Sequence, residues 1–187
     1  MARPRILVPL AQGCEELEAV TITDLLTRAE FEVVTAGLDD QPVTASRGMV
    51  LVPSTTMQSI MSEDFDMMVL PGGLPGAEHL RDNPLVQQKL KELAAEDKYV
   101  AAICAAPQAL ASAGLLDNKI ATGYTGVLDK LDIPGMQISE LPLVVDGKVI
   151  TSQGPGTAMD FALKLIEIIA GTEKRIQVEQ PLLRSAV

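Results

Sequence analysis

Tryptophan is absent from this 187-residue chain, and aromatic residues make up only 3% of it. A core must therefore be filled by Leu, Val, Ile, Ala and Met. Positive charge is in the minority, with 15 Lys and Arg against 25 Asp and Glu, a net charge of −10. A chain this acidic is a poor candidate for gripping nucleic acid by its phosphates, and it offers no basic face to an anionic membrane. There are two cysteines and one histidine. That is too few for a disulfide framework, which points to a reducing, cytoplasmic setting, and His, Cys, Asp and Glu nowhere cluster at metal-ligand spacing. No apolar run is long enough to span a bilayer, and the one at the N-terminus is too short and too broken by proline for a signal peptide. Gly-x-x-x-x-Gly-Lys and a strand-linked Gly-x-Gly-x-x-Gly are both missing, so neither kind of phosphate loop is expected.

The 47% hydrophobic content and the length suit one domain, residues 1–187, with a proper core. The patterning predicts strands at Arg5–Leu10, Phe31–Ala36, Phe65–Leu70, Tyr99–Ile103 and Ile120–Gly123. Two short strands are expected within Val43–Pro53, around Ser46–Arg47–Gly48. Asp146–Gly147 between apolar runs predicts a hairpin over Leu143–Ile150. Helical spacing predicts helices over Glu15–Arg28, Leu85–Glu96 and Ala158–Ala170, the last opened by Gly154–Thr157 and stopped by Gly171. Residues 173–187 read as a further short helix and a tail. Strands alternating with helices argue an α/β fold, a mostly parallel sheet with helices on both faces. Sites in such sheets lie beyond the carboxyl ends of the strands, which is where Gly13–Glu18, Gly72–Gly73 and Cys104 all fall.

Cys104 ends the strand Tyr99–Ile103 and precedes a helix-forming stretch in which Pro107 suits a first turn. Small residues, Ala102 and Ala106, stand two positions to either side, as a sharp strand-to-helix elbow requires. Free backbone N–H groups and a helix dipole would favour the thiolate there and lower the thiol's pKa, although a buried small hydrophobe is the commoner fate of a free cysteine. Gly72–Gly73 is either an ordinary turn or a loop whose N–H groups hold an oxyanion beside Cys104. Glu15 and Glu18 lie one helical turn apart. A carboxyl next to a thiolate would have its pKa raised and could donate a hydrogen bond to sulfur. Glu16 reads as a solvated member of the acidic first turn. His79 sits in a polar segment and reads as a surface residue. Cys14 reads as a small residue in a tight turn, within disulfide reach of Cys104 only if the backbones come close.

Gly13-Cys14-Glu15-Glu16-Leu17-Glu18-Ala19-Val20, Ser46-Arg47-Gly48, Val69-Leu70-Pro71-Gly72-Gly73, Ala101-Ala102-Ile103-Cys104-Ala105-Ala106-Pro107 and Thr151-Ser152-Gln153-Gly154-Pro155-Gly156-Thr157 together resemble the ThiJ/PfpI superfamily. The likeness covers essentially the whole chain and is greatest to the branch holding the YajL chaperone and the Parkinsonism-associated deglycase. It implies a flavodoxin-like sandwich, usually a homodimer, with Cys104 as the reactive cysteine and Glu18 as its protonated partner. Gly72, Gly73 and Ala105 would form the oxyanion and substrate pocket, with Glu15, Arg28, Arg47 and Cys14 at its rim or at the dimer contact. The activities implied are cofactor-free glyoxalase and deglycase chemistry on small aldehydes or glycated protein, chaperone action, and stress sensing through cysteine sulfinic acid. Peptidase branches carry histidine directly after the nucleophile. Here Ala105 takes that place, which counts against peptidase chemistry. Some relatives also carry a pocket histidine where this chain reads Ala121-Thr122-Gly123-Tyr124-Thr125-Gly126.

Overall fold

In a computed structural model describing residues 3–184, the elements follow the apolar pattern closely. Strand β1 (Arg5–Leu10) leads into helix α1 (Glu16–Arg28) and strand β2 (Glu32–Gly37). Three two-residue strands follow, β3 (Val43–Thr44), β4 (Val50–Leu51) and β5 (Thr55–Thr56). Next come β6 (Met67–Leu70), α2 (Gly76–Asp82), α3 (Pro84–Ala95), β7 (Tyr99–Ile103) and α4 (Pro107–Ser112). The chain closes with β8 (Ile120–Ala121), β9 (Gln137–Ile138), β10 (Leu143–Asp146), β11 (Val149–Ser152) and α5 (Ala158–Glu179).

The main sheet has the order β10-β11-β7-β6-β1-β2-β5. All its pairs are parallel except the β10–β11 hairpin, which the Asp146–Gly147 turn predicts. The connection from β1 to β2 steps one way across the sheet, and those from β6 to β7 and from β7 to β11 step the other way. Because such crossovers are right-handed, opposite steps put their helices on opposite faces. The packing agrees: α1 lies against α5, while α2, α3 and α4 pack on one another. The result is a flavodoxin-like α/β sandwich. β1, β6 and β7 are covered on both sides, which is why they read as unbroken apolar runs rather than alternating ones. Phe65, Phe161, Ile22 and Leu26 are among the large side chains sealed in the core between sheet and helices.

Several expectations need correction. The polar segment around His79, for which the pattern predicts no element, proves to be helical. It forms α2, whose buried side is small (Gly76, Ala77 and Leu80), too short a stripe to show helical periodicity. Strands β5 and β9 have only two residues each and carry no pattern of their own. The strand expected at Ile120–Gly123 stops at Ala121. By contrast, Gly171 (φ 86°, ψ 168°) interrupts α5 where expected and a further helical stretch follows to Glu179; the end of the expected tail, residues 185–187, lies outside the described residues. No helix among the described residues is long and apolar enough to cross a membrane.

Candidate active site

The chain leaves β1 and β6, which are neighbours in the sheet, in opposite directions. Their carboxyl ends therefore open a crevice at the switch point. The β1–α1 turn, the Pro71–Gly73 loop and the elbow after β7 meet there. Cys104 stands on that elbow at φ 62°, a left-handed conformation that a non-glycine residue holds only when its surroundings fix it. Both of its backbone groups are fixed: its N–H donates to the Ser152 carbonyl at 3.0 Å, and its carbonyl accepts from Tyr124 N–H at 2.7 Å. Ala102 and Ala106 are fully buried, as the elbow's sterics demand.

Glu18 lies beneath the thiol with no exposed surface. Its Oε2 accepts from the Gly72 N–H at 2.8 Å, while Oε1 is buried without a hydrogen-bonded partner among the described residues. Burial pushes its pKa up to about 7. The Gly72 amide and the Cys104 thiol beside it oppose that rise, and the charge on Glu15 adds to it. Cys104 is pushed up to about 12, by burial first and then by the charge on Glu18, against the pull of the Gly73 and Ala105 N–H groups. The expectation of a thiol pKa below the ordinary value is thus overturned for the state in which Glu18 is ionised. Helix α4 starts three residues past Cys104 and spans six, so its dipole is weak, whereas burial acts on the sulfur directly. The two groups titrate as a pair: one negative charge forms near neutrality, shared by carboxyl and sulfur, and a second is strongly opposed.

The Gly73 and Ala105 N–H groups are close enough to the sulfur to favour its thiolate. They are placed to steady an oxyanion formed next to it. Gly72 does not join them, a correction to the expected pair, because its amide is committed to Glu18. Its backbone instead runs so close that a Cβ there would stand 2.6 Å from Cys104 Cβ and 2.8 Å from Glu18 Oε2.

A pocket of about 280 Å³ opens above the thiol, lined by residues including Glu15, Arg47, Gly73, Ala105 and Tyr124. Arg28 does not line it. It is half-exposed on the far turn of α1, paired with Asp24 at 2.6 Å, because thirteen helical residues carry it away from the crevice. Cys14 is not on the rim either: it is sealed in the core with its pKa raised to about 11, chiefly by burial. The Gly72–Gly73 backbone passes against both cysteine segments, and both thiols are free. Glu16 is not solvated. Its carboxylate accepts from Arg47 N–H at 2.9 Å and from the Ser46 hydroxyl at 3.1 Å, clamping the β3–β4 turn to α1. His79 is exposed on α2, its Nδ1 3.0 Å from the Gln12 carbonyl, outside the Cys104 pocket. Among the described residues no group of three His, Cys, Asp or Glu side chains is placed to hold a metal.

Tyr124, Leu74, Val127 and Pro155 also line the pocket and escape sequence reading. Tyr124 lies in the segment noted only for lacking histidine, and its ring rests near Gly154, at 3.4 Å from the position of a Cβ there.

Residues 4–168 match the profile of the DJ-1/PfpI family. The chain belongs to this family. It is 39% identical over 186 residues to the zebrafish (Danio rerio) Parkinson disease protein 7 homolog, covering 98% of each chain. It is 34% identical over 177 residues to a Caenorhabditis elegans protein named glutathione-independent glyoxalase DJR-1.2, covering 95% of this chain and 94% of that one. Among solved structures, Drosophila melanogaster DJ-1beta superposes with a TM-score of 0.93 at 38% identity, covering 99% of this chain and all of the other. This is therefore a DJ-1-type protein, from a family that includes at least one member named as a glyoxalase.

Proposed function

We propose that this DJ-1/PfpI member is a cysteine-dependent stress-response enzyme that converts small 2-oxoaldehydes, or the early glycation adducts they form on protein, to hydroxy acids without an added cofactor. The observation that carries this reading is the buried Glu18–Cys104 pair under a small pocket, with the Gly73 and Ala105 N–H groups at the sulfur. Sulfur adds to the aldehyde carbon, and the new oxyanion is met by those two amides. Glu18 takes the proton from that carbon and returns it to the neighbouring one, leaving a 2-hydroxy thioester. Water then releases the hydroxy acid and restores the thiol. A carboxyl with a pKa near 7 is suited to such a shuttle, since it is neither firmly protonated nor firmly ionised at neutral pH. The name of the nematode relative supports the glyoxalase part. Turnover of methylglyoxal to lactate by the reduced protein, compared with Cys104→Ser, is the test; equal turnover by the two would end the proposal.

The reading includes a homodimer in a reducing, cytoplasmic setting. Leu17 and Val20 on α1 are 50% and 43% exposed, and Met49 and Val50 on the β3–β4 hairpin are 51% and 60% exposed. The Glu16 clamp sets these two segments side by side, giving an apolar face suited to a second copy.

A second reading, a redox-sensing chaperone without significant turnover, is favoured by the same donors. Oxidation of Cys104 by two equivalents of peroxide to the sulfinate would place two oxygens sharing one negative charge near the Gly73 and Ala105 amides and a protonated Glu18. Mass spectrometry after mild peroxide, set beside the methylglyoxal assay, separates the two readings.

A further inference from the structure

Three alternate amides in the stretch from β8 to Tyr124 face the same way, as they do in an extended chain. Ile120 N–H donates to Asp146 Oδ2 at 2.8 Å, Thr122 N–H to Thr151 Oγ1 at 2.9 Å, and Tyr124 N–H to the Cys104 carbonyl at 2.7 Å. The first two acceptors are side chains of the β10–β11 hairpin. The Lys119 and Ala121 carbonyls turn the other way, to β9, and accept from Gln137 and Ser139 N–H at 2.8 Å each. Thr122 and Thr151 are each 1% exposed, so water does not compete for the bond between them. Without the Thr151 hydroxyl the Thr122 amide would be a buried donor lacking its acceptor, which folded proteins rarely tolerate. Gly123 lets the same stretch come close to the elbow: a Cβ there would stand 3.1 Å from the Cys104 carbonyl oxygen.

We propose that Thr151 is a positioning residue for Cys104: its buried hydroxyl seats residues 122–124 on the elbow, so that the Tyr124 amide holds the Cys104 carbonyl and Tyr124 walls the pocket. Its effect on turnover rests on the aldehyde reaction proposed above. Cys104 keeps its left-handed backbone at φ 62° through two ties, one at its N–H and one at its carbonyl. The first is the Ser152 carbonyl, in β11 itself. The second, Tyr124 N–H, is held to β11 through Thr151, the residue next to Ser152. Both ties therefore start from adjacent residues of one strand. That strand is fixed in turn to β7, with Thr151 opposite Ala102 and Ser152 opposite Ile103. A strained residue needs this kind of surrounding to persist. Released from Thr151, the stretch would carry Tyr124 off the Cys104 carbonyl and leave the elbow free to relax. The sulfur would then turn away from the Gly73 and Ala105 amides and from Glu18. Thr151 does not line the pocket, so it acts through Tyr124 and not on the substrate.

The test compares the wild type with Thr151→Val, which keeps the shape and removes the acceptor, and with Thr151→Ser, which keeps the hydroxyl. Hydrogen exchange of the Tyr124 amide and the carbon-13 shift of the Cys104 carbonyl read the seat. Methylglyoxal kcat and KM read its use. In Thr151→Val, Tyr124 exchange should quicken about tenfold relative to the amides of β7, and the Cys104 carbonyl signal should move. With the nucleophile misplaced, kcat should fall about tenfold while KM changes less. Thr151→Ser should restore all three. Unmoved exchange and carbonyl signal in a folded Thr151→Val overturn the proposal, as does an unchanged kcat or a Thr151→Ser that behaves like Thr151→Val. If Thr151→Val does not fold, Gly123→Ala decides, since its Cβ presses on the same carbonyl with Thr151 intact: a shifted Cys104 signal with lowered kcat supports the seat, and an unmoved one overturns it. If the wild type fails to turn over methylglyoxal, the aldehyde reaction is wrong, and the exchange and carbonyl signal still decide whether Thr151 seats the stretch.

Discussion

The Gly72 amide donates to Glu18 Oε2 at 2.8 Å, and the missing side chain of Gly72 leaves the space in which that carboxyl and the Cys104 Cβ come together. One glycine therefore both orients the acid and admits the nucleophile. Gly72→Ala is expected to destabilise the protein by about 1–3 kcal/mol or more through overpacking and to abolish reactivity at Cys104. Gly156→Ala, where an added Cβ meets nothing within 4 Å, should shift stability by no more than about 0.5 kcal/mol. Urea unfolding of both variants checks the contrast.

Cys104 is the thiol that a reagent can reach. It opens onto the pocket, whereas Cys14 has no exposed surface. Iodoacetamide should modify Cys104 first, and Cys14 only on unfolding. Preferential labelling of Cys14 in the folded protein, read by peptide mass spectrometry, would contradict the site. Glu18→Gln keeps a hydrogen-bond donor but cannot carry a proton. It should cut aldehyde turnover by about a hundredfold or more while leaving Cys104 oxidisable to sulfinate. Unchanged turnover would remove Glu18 from catalysis and favour the redox reading.

Glu18 also ties stability to pH. Its folded pKa of about 7 lies above its ordinary value of 4.5, so between these values the unfolded chain gives up a proton that the folded one keeps. Its contribution is fully present below pH 4.5 and is lost as pH rises through 7. The loss is on the order of 3 kcal/mol at most. Denaturant unfolding at pH 5 and pH 8 should show this fall in the wild type and a smaller one in Glu18→Gln. Equal slopes in the two proteins would mean that Glu18 is ionised throughout.

His79 is expected to be dispensable, because it lies on α2 outside the Cys104 pocket, with its Nδ1 turned to the Gln12 carbonyl. His79→Ala should retain methylglyoxal turnover within about twofold, the scatter of a substitution outside the reacting groups. Complete loss in a folded variant would require a Cys–His mechanism.

The dimer proposal is tested by charge. Leu17→Glu with Val50→Glu places carboxylates on the exposed apolar face without touching the core. Light scattering should then report a monomer where the wild type is a dimer. A monomeric wild type at micromolar concentration would refute it.

Much of the fold was legible because local patterns and the buried sheet agree. The apolar runs at Ile6–Leu10, Met67–Leu70 and Val100–Ile103 are short, β-friendly and form strands, and the small residues around Cys104 allow the tight elbow. That the Gly13–Glu18 turn and Cys104 lie at one end of the sheet was legible too, from strand ends, while the choice of Glu18 as partner came from the resemblance to the ThiJ/PfpI superfamily. What a sequence does not carry is the direction of an amide or the burial of a carboxyl. Gly72 and Gly73 are equivalent as letters, yet one amide faces Glu18 and the other the sulfur. Glu15, Glu16 and Glu18 share one acidic turn, but the fold puts the first in the pocket, clamps the second to the β3–β4 turn and seals the third under the thiol. Helix spacing fixes which way each carboxyl points, and only the packing of three distant loops decides what it meets. The thiol's pKa depends on that meeting. The sequence suggested a free helix end favouring the thiolate, and the tertiary structure supplied burial and a neighbouring carboxyl, which outweigh so short a helix.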